Sequence, residues 1–242
     1  DAVISTSIIN DKDLKIMGPS VSGTNDSLYH GVFYYYLIAP IYVISKGNPF
    51  IVSVYLSAIS LIGIFVTYKL GKMVFKSESI GLLAAFFQSI SVISINQATW
   101  LSNPNLSAIF IPTAYYFVWK IFLSEKKQKS LTYALFGLSV AFAMQVALQN
   151  ISIFGSILII FLYAIINKIF KFEFKKILIS VLTFFMGIST MIVTELLMFK
   201  RGILSFQSLN LDQHQTNILT IFPKIISKYF SIISNIIDPS HQ

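Results

Sequence analysis

Cysteine is absent from the 242-residue chain, which excludes disulfide frameworks, Cys-ligated zinc and thiol nucleophiles. Charge is almost as scarce. Asp, Glu, Lys and Arg make up 12% of the residues, where a soluble domain carries about 25%. Arginine occurs once, at Arg201, and the three histidines lie far apart, so no metal centre is expected. The sequence also lacks a phosphate-cradling Gly-rich loop, a His-Glu-x-x-His pair and a Gly-x-Ser-x-Gly elbow. No soluble-enzyme motif remains.

What is there is apolar. Hydrophobic residues make up 55% of the chain and the mean hydropathy is +0.73, the composition of an integral membrane protein. An all-α polytopic fold is expected, because helices satisfy their own backbone groups in lipid. Six spans are expected at about 50–71, 79–97, 105–123, 131–148, 151–167 and 177–199, each near the ~20 residues that cross a bilayer. The chain then divides into residues 1–49, a loop with juxtamembrane helices; residues 50–199, the membrane domain; and residues 200–242, a loop with an amphipathic helix. In that last helix Ile218, Phe222, Ile225, Tyr229 and Ile233 share one face. Residues 1–17 suit a short amphipathic helix ending in the charged turn Asp11 to Lys15.

The +8 net charge is not a nucleic-acid surface, because it is confined to alternate connections. Lys69, Lys72 and Lys76 follow the first span. Lys126, Lys127 and Lys129 follow the third, and Lys168, Lys171, Lys175 and Lys176 the fifth. The intervening connections at 97–105 and 148–151 carry no charge. The positive-inside rule places the lysine-rich loops in the cytoplasm and residues 1–49 outside.

The least membrane-like stretch is 18–40. A Gly/Ser/Asn/Asp-rich loop of the kind that turns and binds runs into His30, Gly31 and three tyrosines, whose polar-tipped rings suit the bilayer boundary. Residues 31–46 are too short to span and are interrupted by Pro40, so they read as interfacial or re-entrant. Asn25-Asp26-Ser27 and Asn105-Leu106-Ser107 also fit the N-glycosylation pattern.

The pattern from Asp1 through "NDKDLKIMGPSVSG…LYHGVFYYYLIAP" resembles the first extracytoplasmic loop of GT-C glycosyltransferases. The branch resembled is that of protein O-mannosyltransferases and lipid A aminoarabinose transferases. "ATWLSNPNLSAIF" (98–110) is similar to the Trp-Asn-Pro-Asn-Pro segment after their third span, and Lys200-Arg201-Gly202 to their basic-His-Gly triplet. The resemblance covers roughly residues 1–205. It implies transfer of a sugar from a polyprenyl-phosphate donor to a lipid, glycan or protein acceptor, with no cofactor, no metal and no nucleic-acid partner. It further implies a multi-pass protein of a bacterial or archaeal plasma membrane, with the active site extracytoplasmic. Family members carry a transmembrane helix before this loop, so the chain reads as an internal fragment, inactive alone.

The same resemblance assigns roles. Asp1 matches the second acid of a pair whose first member, the proposed general base, is expected upstream; as residue types go, Asp1 equally suits a helix cap. His30 stands where relatives contact lipid phosphate or acceptor, and Tyr29, Tyr34 and Tyr35 would line the substrate, with interface anchoring as the alternative for the tyrosines. Trp100, Asn103 and Asn105 form a rigid turn exposing amides suited to sugar hydroxyls. Gln145 and Gln149 flank an uncharged turn where the family often has Gln-x-His, although residue 147 here is Ala; polar amides there also serve to join helices. Lys200 and Arg201 would bind the donor phosphate, or pair with Glu195. A transporter or flippase of a lipid-linked saccharide is the alternative function. It should show ionisable residues in mid-span or paired broken helices. A non-catalytic scaffold would have no reason to gather polar residues on one face.

Overall fold

The computed structural model describes residues 2–21, 28–124, 126–170 and 172–200. Among these the fold is all-helical, with ten α-helices and one isolated β-bridge. The helices are α1 (Ala2–Asn10), α2 (Phe33–Ile44), α3 (Pro49–Phe75), α4 (Glu78–Ile90), α5 (Val92–Thr99), α6 (Ser107–Val118), α7 (Ser130–Val146), α8 (Ile153–Ile166), α9 (Phe174–Gly187) and α10 (Ser189–Lys200). A 3₁₀ turn precedes α6 at Asn103–Leu106, a π turn follows it at Trp119–Leu123, and a second 3₁₀ turn, Leu148–Ser152, precedes α8. The expected amphipathic helix at 218–237, the Asn25 acceptor pattern, Asp1 and Arg201 lie outside the described residues.

Three helical runs are long and apolar enough to cross a membrane: Pro49–Phe75, Asn103–Leu123 and Leu148–Ile166. There are five if each of two bent pairs counts as one span. Helix α7 is shorter, at 17 residues. Local signals set several boundaries. Asn48 accepts from the Phe50 N–H at 2.9 Å with Pro49 at the first helical position, and Ser77 accepts from the Ile80 N–H at 3.4 Å, two N-caps of the preferred kind.

Two of the expected spans are not continuous. The run over 79–97 bends by 61° between α4 and α5, and the run over 177–199 by 55° between α9 and α10. At the first break Ser91 turns extended (ψ 122°) and its hydroxyl accepts from the Ser94 N–H. The side chain thus starts a new helix instead of continuing the old one. The second break follows Gly187, a weak helix former.

Helix α7 is the centre of the bundle, packed on α9 and α6, with Tyr133, Gly137, Val140, Ala141, Ala143, Gln145 and Val146 all buried. Between helices in lipid, close packing replaces the hydrophobic drive, so small residues mark the contact. Gly137 and Ala141 stand one turn apart on the face toward α9. A Cβ on Gly137 would collide with the Ser180 carbonyl, and one on Gly187 with Ala141. The Ser180 hydroxyl donates to the Tyr133 carbonyl at 2.9 Å across the same contact. Outward faces of α3, α4, α8 and α9 present Leu61, Phe65, Phe86, Ile159 and Leu182, a surface suited to lipid.

The two ends of the bundle differ in chemistry. At one end the lysine-rich connections meet: the Lys176 ammonium donates to the Gln128 carbonyl at 2.6 Å and pairs with Glu173 at 2.9 Å, and Lys127 reaches Glu173 at 3.7 Å. At the other end a buried cluster of Tyr34, Ile38, Leu56, Leu106 and Val146 joins α2, α3, the first 3₁₀ turn and α7. The 18–32 loop rests above that cluster.

Candidate functional site

The loop returns on itself as a narrow turn. Ser20 and Tyr29 form an antiparallel bridge, the Val21 N–H donates to the Leu28 carbonyl at 2.8 Å, and the His30 N–H to the Pro19 carbonyl at 2.8 Å. This delivers His30 and Gly31 to the C-terminal end of α7, whose last carbonyls have no partner within the helix. Three separate segments satisfy them. The Gly31 N–H donates to the Gln145 carbonyl at 2.8 Å, the Asn103 amide to the Val146 carbonyl at 2.6 Å, and the Asn150 amide to the Ala143 carbonyl at 2.8 Å.

Gln145 carries the joint. Its Oε1 accepts from the Phe33 N–H at 3.2 Å, capping α2, where Val32 offers no side-chain cap. Its Nε2 donates to the Gly187 carbonyl, one of those freed at the α9–α10 break. One side chain therefore ties the loop, the central helix and the bend. Gly31 is required opposite it, because a Cβ there would fall inside the Gln145 side chain.

His30 is 8% exposed, and burial pulls its pKa below the ordinary value. Its Nδ1 accepts from the Leu148 N–H at 3.3 Å, which assigns the neutral ring's proton to Nε2. Such an imidazole presents Nε2–H as a hydrogen-bond donor, suited to a phosphate or carbonyl oxygen.

The structure thus brings His30, Asn103 and Gln145 together from three distant parts of the sequence. Their amides are already engaged with backbone, as are those of Asn105, which donates to the Ala98 and Trp100 carbonyls at 3.0 and 3.1 Å. Asn105 Oδ1 is buried without a partner among the described residues. Tyr34 and Tyr35 turn into the core, 1% and 4% exposed. Tyr36 stays at the surface and donates to the Lys15 carbonyl at 3.0 Å. Successive helical residues point about 100° apart, so three in a row cannot share one face. Tyr29 is half-buried in the bridge and Trp100 is exposed. Gln149 lies apart from this joint, on a groove beside α5 and α6. Lys200 closes α10, and that helix meets the segment feeding the loop where the Thr194 hydroxyl donates to the Ile16 carbonyl at 3.2 Å. Among the described residues no group of three or more His, Asp or Glu could hold a metal ion.

Residues that hydropathy passes over are Gly31, Gly187, Gln88, Ser91, Ser94 and Gln97. Their signal in the sequence is polar side chains within an apolar run, Gln88 to Gln97, and a glycine facing an amide. No family model, no curated protein and no solved structure matches the chain.

Proposed function

We propose that the chain is part of a membrane glycosyltransferase that moves a sugar from a polyprenyl-phosphate donor to an acceptor hydroxyl. In this reading α7 and the two bent pairs complete six spans, and the 18–32 loop faces the outside, opposite the lysine-rich end. The acceptor oxygen attacks the anomeric carbon and gives its proton to a carboxylate of the acidic pair to which Asp1 belongs. The bond from that carbon to the phosphate oxygen breaks, and its electron pair leaves with the phosphate. Cations that meet this growing charge lower the barrier more than they tighten ground-state binding; Lys200 and Arg201 are assigned this role, with His30 Nε2–H as a neutral donor. The observation that supports the reading is the loop itself: a His-Gly turn, matching the resembled family at 18–40, held by Gln145 and Leu148 at the uncharged end of the bundle.

The deciding experiment is transfer of labelled sugar from a polyprenyl-phosphate donor by the protein of the full coding sequence in membranes. Arg201→Ala should lower turnover by about 10²–10³-fold, as loss of one oriented donor does. Arg201→Lys should be milder, because it keeps the charge and loses the fork. Absence of transfer, or full turnover in both Lys200→Ala and Arg201→Ala, refutes the reading. The two bent helix pairs favour a second one, a flippase for a lipid-linked saccharide. Movement of the labelled lipid across sealed vesicles without transfer would select it.

A further inference from the structure

The two helix breaks are resolved differently. At Gly187 the freed carbonyl is taken up by Gln145 inside the protein. At Ser91 the break opens beside a groove of about 450 Å³ between α3, α4, α5, α6 and the 148–152 turn. Irregular backbone at membrane depth is tolerated only where it is buried or lines a polar cavity, and this groove is polar. Gln88, Ser94, Gln97, Ser107 and Gln149 all line it. Gln88 Oε1 is shielded and has no hydrogen-bond partner among the described residues. None of the described lining residues is charged.

Below it the chemistry changes. A second groove of about 320 Å³ shares Thr67, Leu70 and Tyr115 with the first and continues along Val74, Phe75 and Trp119. Its walls are almost wholly apolar. Positions along the helices give the direction. Gln97, Ser107 and Gln149 lie at the uncharged end of the bundle, and Val74 and Phe75 at the lysine end. A polar compartment thus leads into an apolar one along the bundle axis.

We propose that this continuous groove binds a membrane lipid with an uncharged, hydroxyl-rich headgroup. The headgroup occupies the amide-lined part and a hydrocarbon chain the apolar part. Primary amides both donate and accept, as hydroxyls do, and an orphaned amide oxygen in a low-dielectric site lacks only a donor. An anionic headgroup would find no cation in this lining. The site stands on groove geometry and goes beyond the transferase reading; it is tested by binding alone, so loss of either leaves the other intact.

The test uses the full chain in nanodiscs with a photoactivatable diglycosyl diacylglycerol as probe, and diacylglycerol and phosphatidylglycerol as competitors. Crosslinks should map to α4, α5 and α6, and unlabelled glycolipid alone should compete. Gln88→Leu and Gln97→Leu should each weaken binding by about five- to tenfold, the worth of one net hydrogen bond. Each variant is read only with wild-type melting, and Ser94→Ala serves where a leucine variant does not fold. Equal competition by diacylglycerol or phosphatidylglycerol overturns the proposal. So do unchanged affinity in the variants, or crosslinks from position 97 to the chain's own 218–237 segment in place of lipid.

Discussion

Replacing Gln145 with Leu tests whether one side chain holds the candidate site together. Leucine nearly conserves volume, so the cavity contribution is small, and the loss falls on two hydrogen bonds: from the Phe33 N–H and to the Gly187 carbonyl. Leaving two buried groups unpaired at about 1–3 kcal/mol each gives a ceiling of about 6 kcal/mol. Interhelical hydrogen bonds in bilayers average only about 0.6 kcal/mol, which gives a floor of about 1.2 kcal/mol for two. Gln145 is 5% exposed and both partners lie at helix ends with no replacement within their own helix, so the outcome should fall at about 2–4 kcal/mol. For a chain of this size that is a fall in Tm of roughly 4–16 °C. Thermal unfolding in detergent measures it, and hydrogen exchange localises it: the Phe33 amide should lose protection while amides at the lysine end, such as Lys176, keep theirs. A variant that melts within about 1 °C of wild type with Phe33 still protected would refute the joint.

His30 should make the loop sensitive to acid. Its folded pKa lies below the ordinary value through burial, so the stability it contributes is present above the unfolded pKa of about 6.5 and is lost as pH falls from there through the folded value. Leu148 amide protection should decline over that window and His30→Gln should flatten the dependence; a wild-type profile already flat between about pH 7.5 and 5.5 excludes it. Single cysteines in this cysteine-free chain test the proposed sidedness: Ser102→Cys should label from outside intact cells and Lys127→Cys only after permeabilisation, and the reverse pattern inverts the topology.

Apolar periodicity made the helical class and most boundaries legible. The run 50–71 became α3, and the short piece at 31–46 is a 12-residue helix. The bends were not legible, because Ser91 and Gly187 scarcely lower the hydropathy of the runs that contain them; backbone capping decides there, and hydropathy does not measure it. His30 and Gln145 were each visible as polar residues in an apolar setting. That they belong to one joint was not, since their link is to the end of a helix more than a hundred residues away. The tyrosine run misleads for a geometric reason: an aromatic cluster in sequence becomes a ring around a helix, so two of its members enter the core.

The contact between Gly31 and Gln145 also constrains how the sequence can drift. A side chain at 31 needs space that only a smaller residue at 145 would leave, and a smaller residue at 145 abandons the cap on α2 and the carbonyl at 187. Neither position can change first without loss. The pair should therefore be inherited as a unit or replaced as one, and a descendant that gains a Cβ at 31 should also have found new partners for Phe33 and Gly187.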